Sequence, residues 1–138
     1  MIICKLFTIL LLSVPNLETE IPIIKKAAER NGIQYQSNDW YLLLAIRMAE
    51  NGRPGQEFGI MNKKAYNLDL QAAWCACTIR NQHKRSGIKE VNEKYLLSLA
   101  NRYCPVGAEN DPQGLNKNWI KNVTYHYNKL KGKNYVKD

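Results

Sequence analysis

The sequence predicts a mainly α-helical protein built as one domain. Apolar residues recur at helical spacing in five successive stretches, with capping types at their starts and Gly or Pro near their ends. No internal repeat, low-complexity tract or Pro/Gly-rich linker divides the chain. At 138 residues the chain is long enough to bury a core without disulfides or metal.

Residues 1–17, "MIICKLFTILLLSVPNL", hold one Lys and an apolar run from Leu6 to Leu12. That run is too short to span a bilayer and fits an export signal, the other reading being a first buried helix or strand. The folded domain is expected over residues 18–138. Thr19 caps a first helix that takes Pro22 in its first turn and stops at Asn31-Gly32. Ser37, Asn38 and Asp39 open a second, running from Trp40 to Glu50 before Asn51-Gly52 ends it. Trp40, Tyr41, Leu42, Leu43, Leu44, Ala45, Ile46, Met48 and Ala49 leave it almost no polar face, so it is the central helix.

Residues 52–66 are expected to hold at most a small β element. From Asn67 the spacing Leu70, Ala73, Trp74, Cys77 marks a third helix, stopped at Ser86-Gly87. Asn92 opens a fourth, with Leu96, Leu99, Ala100 and Tyr103 inward and Pro105 past its end. Residues 105–116 read as a loop. Asn116 then caps a last helix with Trp119, Ile120, Val123, Tyr127 and Leu130 on one face.

Lys and Arg outnumber Asp and Glu by 20 to 12, which implies an anionic partner: nucleic acid, a membrane surface or cell-wall polymer. A helix-turn-helix is disfavoured, because the second helix is too apolar to lie in a groove and the third does not gather its Arg and Lys on one face. His83 and His126 have no Cys or Asp at ligand spacing, and Cys75-x-Cys77 lacks zinc-finger spacing. No metal, cofactor or stable membrane span is expected. With Cys4 in the export segment, Cys75, Cys77 and Cys104 remain, an odd number that speaks against a complete disulfide framework. In an exported chain one of the first two would bridge Cys104; the other reading is small buried thiols.

Glu50 is the residue on which chemistry is expected. Apolar neighbours disfavour its anion and the negative end of the helix dipole adds to that penalty. A carboxyl held protonated is what a general acid needs to protonate the leaving oxygen of a glycosidic bond; the plain alternative is a terminal Glu in solvent. Glu57 follows one short loop later and would supply a base for water, as would Asp69. Glu57 reads equally as a solvated loop acid or a partner for Arg47 or Arg53.

The stretch "IIKKAAERNGIQYQSNDWYLLLAIRMAENG" resembles the opening of the lysozyme-like lytic transglycosylases and goose-type lysozymes. There, a short helix ending in Gly precedes a helix that delivers the catalytic Glu at its end. "EFGIMN" resembles the Gly-Leu-Met-Gln segment, with Gly59, Ile60, Met61 and Asn62 in matching positions. "YLLSLANRYCP" sits where the family carries Ala-Tyr-Asn, with Asn101 and Tyr103 in a different order, and "NWIKNVTYHYNKL" resembles the closing helix. Glu50-Asn51 replaces the family's Glu-Ser, and the shorter stretch from Glu50 to Gly59 is closer to compact phage-type members.

The resemblance implies a lysozyme-like helical domain acting as a monomer on peptidoglycan glycan strands, either exported to the cell envelope or phage-encoded. It implies cleavage of the β-1,4 link between N-acetylmuramic acid and N-acetylglucosamine, with Glu50 as acid and then base in a transglycosylase, or with Glu57 as second acid in a hydrolase. Gly59, Met61 and Asn62 would line the sugar groove, with Tyr66, Asn101 and Tyr103 supplying aromatic and polar contacts. The alternatives are a cell-wall N-acetylglucosaminidase of the same superfamily and a non-catalytic basic helical domain that binds glycan or nucleic acid.

Overall fold

The computed structural model of the protein describes residues 17–109, 111, 113–114 and 116–137. Among them lie five α-helices and no strand: α1 Leu17–Arg30, α2 Asn38–Glu50, α3 Leu68–Ser86, α4 Glu93–Tyr103 and α5 Lys117–Lys137. The mainly α expectation holds. Residues 1–16, and with them most of the expected export segment and Cys4, lie outside the described residues.

Local chemistry accounts for most boundaries. Ser37, Asn67 and Asn92 each stand before a helix in extended backbone and accept a hydrogen bond from the amide three residues on, at Trp40, Leu70 and Tyr95 respectively. Gly87, at φ 72°, closes α3 through its N–H to the His83 carbonyl. Helix α1 begins earlier than its sequence predicts. Leu17 and Ile21, one turn apart, both pack on the core and draw the extra residues into the helix. Thr19 therefore lies inside α1, and Pro22 sits in its second turn, where a proline supplies no N–H to the carbonyl of Glu18.

Helix α2 is the centre of the molecule. Nine of its thirteen residues, Trp40 to Arg47 and Ala49, are buried. Each of Leu42, Leu43, Leu44 and Ile46 gains about 1.5–3 kcal/mol from leaving water. Its main packing is along α5, with α3 on another side; α1 packs along α3, and α4 closes the structure against α3 and α5. The two helices α1 and α3 pack along each other, and their buried residues, Ile24, Ala27 and Ala28 on α1 and Ala72, Cys75, Ala76 and Ile79 on α3, include several small side chains that permit a close approach.

The face of α3 differs from expectation. Trp74 and Cys77 are exposed and Leu70 and Ala73 only half-buried, whereas Gln71, Ala72, Cys75, Ala76, Ile79 and Gln82 are buried. The helix is turned by about one residue, because the α1 contact favours small side chains over the bulk of Trp74. Of the two readings of the cysteines, a bridge to Cys104 or small buried thiols, Cys75 and Cys104 follow the second. No disulfide joins Cys75, Cys77 and Cys104: Cys77 faces solvent, while Cys75 is buried with its thiol hydrogen-bonded to Tyr103. No helix among the described residues is long and apolar enough to cross a membrane.

Candidate active site

Glu50 is the last residue of α2 and is half-buried. Its Oε2 accepts a hydrogen bond of 2.7 Å from Nε1 of Trp119, in the first turn of α5. Trp119 is fully buried, so its N–H is a fixed donor that sets the direction of the carboxyl. Tyr103, the last residue of α4, stacks on Trp119 with ring centroids 5.1 Å apart and planes inclined by 26°. Its hydroxyl donates to the Phe58 carbonyl and also meets the Cys75 thiol. Burial pushes both Cys75 and Tyr103 well above their ordinary pKa values, and the nearby charge of Glu50 adds to each shift. Two inert, protonated groups thus brace the loop beside the carboxyl.

Two features end α2 sharply. Asn51 takes the left-handed conformation, φ 45°, and its N–H bonds to the Arg47 carbonyl. Asn tolerates that region through its short polar side chain. Gly52 then allows the chain to fold back on residues 56 and 57, its N–H pointing at the Glu57 carbonyl.

Residues 52–66 form a loop whose backbone is satisfied largely by side chains of the helices. Gln71, fully buried on α3, accepts at Oε1 from the N–H groups of Phe58 and Ile60. Its Nε2 donates to the carbonyls of Gly55, Ile60 and Ala65. Arg47 forms a two-pronged ion pair with Glu20 of α1, at 2.8 and 2.9 Å, and extends Nη1 to the Glu57 carbonyl. Gln71 escaped sequence reading, whereas Arg47, one of the partners weighed for the Glu57 carboxyl, meets the Glu57 carbonyl instead. The signal for Gln71 was its place on one helical face with Cys75 and Ile79, where a polar residue needs internal partners.

Glu57 is 7% exposed and its Oε1 accepts the N–H of Gly55 at 3.0 Å, so its carboxyl staples its own loop. Asp69 forms an exposed ion pair with Arg30 at 2.6 Å. Neither carboxyl is hydrogen-bonded to the Glu50–Trp119 pair. Gly59 has φ 74° and donates to the Gln56 carbonyl. Met61 and Tyr66 are exposed, at 50% and 70%, and Asn62 accepts the Lys64 N–H. Asn101 is exposed near the end of α4.

A cavity of about 290 Å³ gathers Met61, Asn62 and Tyr66 with Arg53, Gly55 and Lys63. A second, of about 650 Å³, lies between α4 and α5 and is lined by Leu96, Leu97, Ile120 and Tyr125 among others. Glu50 lines neither. Beside it, the loop and α4 touch through Tyr103 and Phe58.

Beyond the site, His83 does have an acidic partner, 44 residues away in sequence. Its Nε2 lies 2.7 Å from Oδ1 of Asp39, its Nδ1 2.7 Å from the Ile88 carbonyl, and its ring stacks on Tyr95. No group of three or more His, Cys, Asp or Glu among the described residues could hold a metal ion. Comparison with protein-family models, with curated proteins and with solved structures finds no match to this chain.

Proposed function

We propose that the protein cleaves the glycan strands of peptidoglycan, with Glu50 as its general acid. The observation that carries this reading is a half-buried carboxyl at the end of the most buried helix, aimed by the indole N–H of Trp119. A general acid has to present its proton at a fixed point near the bridging oxygen, and a donor that holds one carboxyl oxygen supplies that orientation. The resemblance of residues 23–52 to the opening of the lysozyme-like enzymes supports the same residue in the same role.

A chemistry with one carboxyl fits better than one with two. Glu57 is turned into its loop and Asp69 is paired with Arg30, so neither is poised to activate water across the sugar from Glu50. In the one-carboxyl scheme Glu50 protonates the leaving oxygen as the glycosidic bond breaks. The resulting carboxylate then takes the proton of the sugar's own 6-hydroxyl, whose oxygen closes a 1,6-anhydro ring on the anomeric carbon. No second acid and no water enter that sequence.

Digestion of purified sacculi followed by mass spectrometry of the released fragments tests both statements. Anhydro ends are expected; reducing muramic ends would make the enzyme a hydrolase, and reducing glucosamine ends a glucosaminidase. Glu50→Gln keeps the oxygen that Trp119 binds and removes the acid. It should lower cleavage by about 10²–10⁴-fold with the fold unchanged. Clearance at the wild-type rate would remove Glu50 from the mechanism and make Glu57 the next residue to replace.

A further inference from the structure

The small cavity in the 52–66 loop has features that the proposed cleavage does not use. Two cations, Arg53 and Lys63, reach it from opposite ends of the loop, and no carboxylate lines it. Among the described residues the ion pairs of this protein engage Arg30, Arg47, Arg80 and His83, and leave Arg53 and Lys63 out. The carboxyl nearest to the lining is that of Glu57, held on the Gly55 N–H; two cations against one acid leave a net positive potential, which attracts an anionic group. Arg adds a planar fork suited to a carboxylate, and Lys a movable point charge.

Beside the cations stand two large side chains left in water. Tyr66 and Met61 both border the cavity, and an exposed aromatic face next to hydrogen-bonding groups is a surface on which a sugar ring packs. The space is small, near the lower end of the range for small-molecule sites, which suits one saccharide unit with its substituent. It is also preformed. Gln71 fixes the backbone at residues 55, 58, 60 and 65, and Gly55 packs so closely on the Tyr66 carbonyl that an added Cβ would lie 3.1 Å from its oxygen. A ligand entering here pays little to order the loop.

We propose that this cavity is a subsite for a single sugar bearing a carboxylate, the sugar face on Tyr66 and the carboxylate between Arg53 and Lys63. It rests on the reading of the protein as a peptidoglycan-cleaving enzyme and specifies which part of that polymer the loop recognises. Two carboxylates of the polymer have this chemistry: the lactyl group of an unsubstituted muramic acid and the acids of its peptide stem.

The test is an amide chemical-shift titration of the full chain with three probes that contain no glycosidic bond, so that binding is read independently of cleavage. N-acetylglucosamine is neutral, N-acetylmuramic acid carries the lactyl carboxylate, and N-acetylmuramyl dipeptide carries stem carboxylate instead. At low salt one or both acidic probes should bind roughly tenfold more tightly than N-acetylglucosamine. The tighter of the two identifies the source of the carboxylate. Shifts should centre on Arg53, Met61 to Lys63 and Tyr66. The double variant Arg53→Gln/Lys63→Gln should lose that preference and keep its affinity for the neutral sugar, while Tyr66→Ala should weaken all three probes.

Equal binding of neutral and acidic sugars, no binding of any, or an unchanged preference in the double variant overturns the subsite. A single-stranded oligonucleotide that displaces the acidic sugars and binds more tightly at the same residues overturns it in favour of nucleic acid. The two readings fail separately. Loss of cleavage in Glu50→Gln without any preference for acidic sugars sinks the subsite alone, and the reverse pattern sinks the catalytic role of Glu50 alone.

Discussion

A Cβ placed on Gly52 would lie 1.7 Å from the Gln56 carbonyl oxygen and 3.2 Å from the Cα of Glu57, so the chain doubles back here at a distance no side chain tolerates. The Gly is required by space. Its backbone angle is not left-handed, that role having passed to Asn51. Gly52→Ala must push loop backbone away and should cost about 1–3 kcal/mol, read as a lower urea midpoint at unchanged slope. His126 carries a different kind of cost. It is buried on α5, both ring nitrogens lack a hydrogen-bond partner among the described residues, and burial, helped by the charge of Lys129, pulls its pKa from 6.5 to about 4. Below about pH 6.5 the unfolded chain takes up a proton that the folded one refuses until about pH 4. The contribution of His126 to stability is therefore fully present above pH 6.5 and falls as pH drops toward 4. Urea midpoints at pH 7 and pH 5 should differ in that sense, and the gap should narrow in His126→Leu.

At the scale of elements, the 52–66 loop depends on α3 through one side chain. In Gln71→Leu the N–H groups of Phe58 and Ile60 and the carbonyls of Gly55, Ile60 and Ala65 lose their shared partner, at about 1–3 kcal/mol for each group left buried without another. Hydrogen exchange should speed up at Phe58 and Ile60 while the amides of α2 keep their protection. Gln71→Glu keeps both acceptor bonds and loses all three donor bonds, so it should protect those two amides better than the Leu variant does. Protection that is equal in wild type and Gln71→Leu would show that the loop holds itself. This loop also marks where sequence reading stopped. The helices were legible because their signals are local: Ser37, Asn67 and Asn92 cap within three residues, and Gly87 ends α3 where its conformational freedom is needed. The partners of the loop come from Arg47 and Gln71 over separations of up to 16 residues, which no local pattern announces. The turned face of α3 has the same origin, since what α1 presents to it decides which side is buried.

Across the whole molecule, Glu50 could be singled out because it ends an apolar helix, whereas Trp119, which orients it, lies 69 residues away and read only as core. Tyr103, expected from the sequence to contact sugar, also joins Trp119 to Phe58, a role that no local pattern signals. The packing also sorts the thiols. Cys77 is exposed, while Cys75 and Cys104 are buried and burial holds the Cys75 thiol protonated. A brief treatment of the native protein with an alkylating reagent should label Cys77 and spare Cys75 and Cys104 until denaturant is added. Early labelling of Cys75 would mean that α1 and α3 part readily in solution. One further property follows from the hold of Gln71 on main-chain atoms alone. Since the amide grips peptide groups and no side chain of residues 55–65, the identities of Met61 and Lys63 are uncoupled from the shape of the loop, whereas Asn62 accepts the Lys64 N–H and helps to set it. Substitutions at Met61 and Lys63 can re-specify what the cavity selects while the backbone stays in register, so the segment behaves as an exchangeable reading head on a fixed mount.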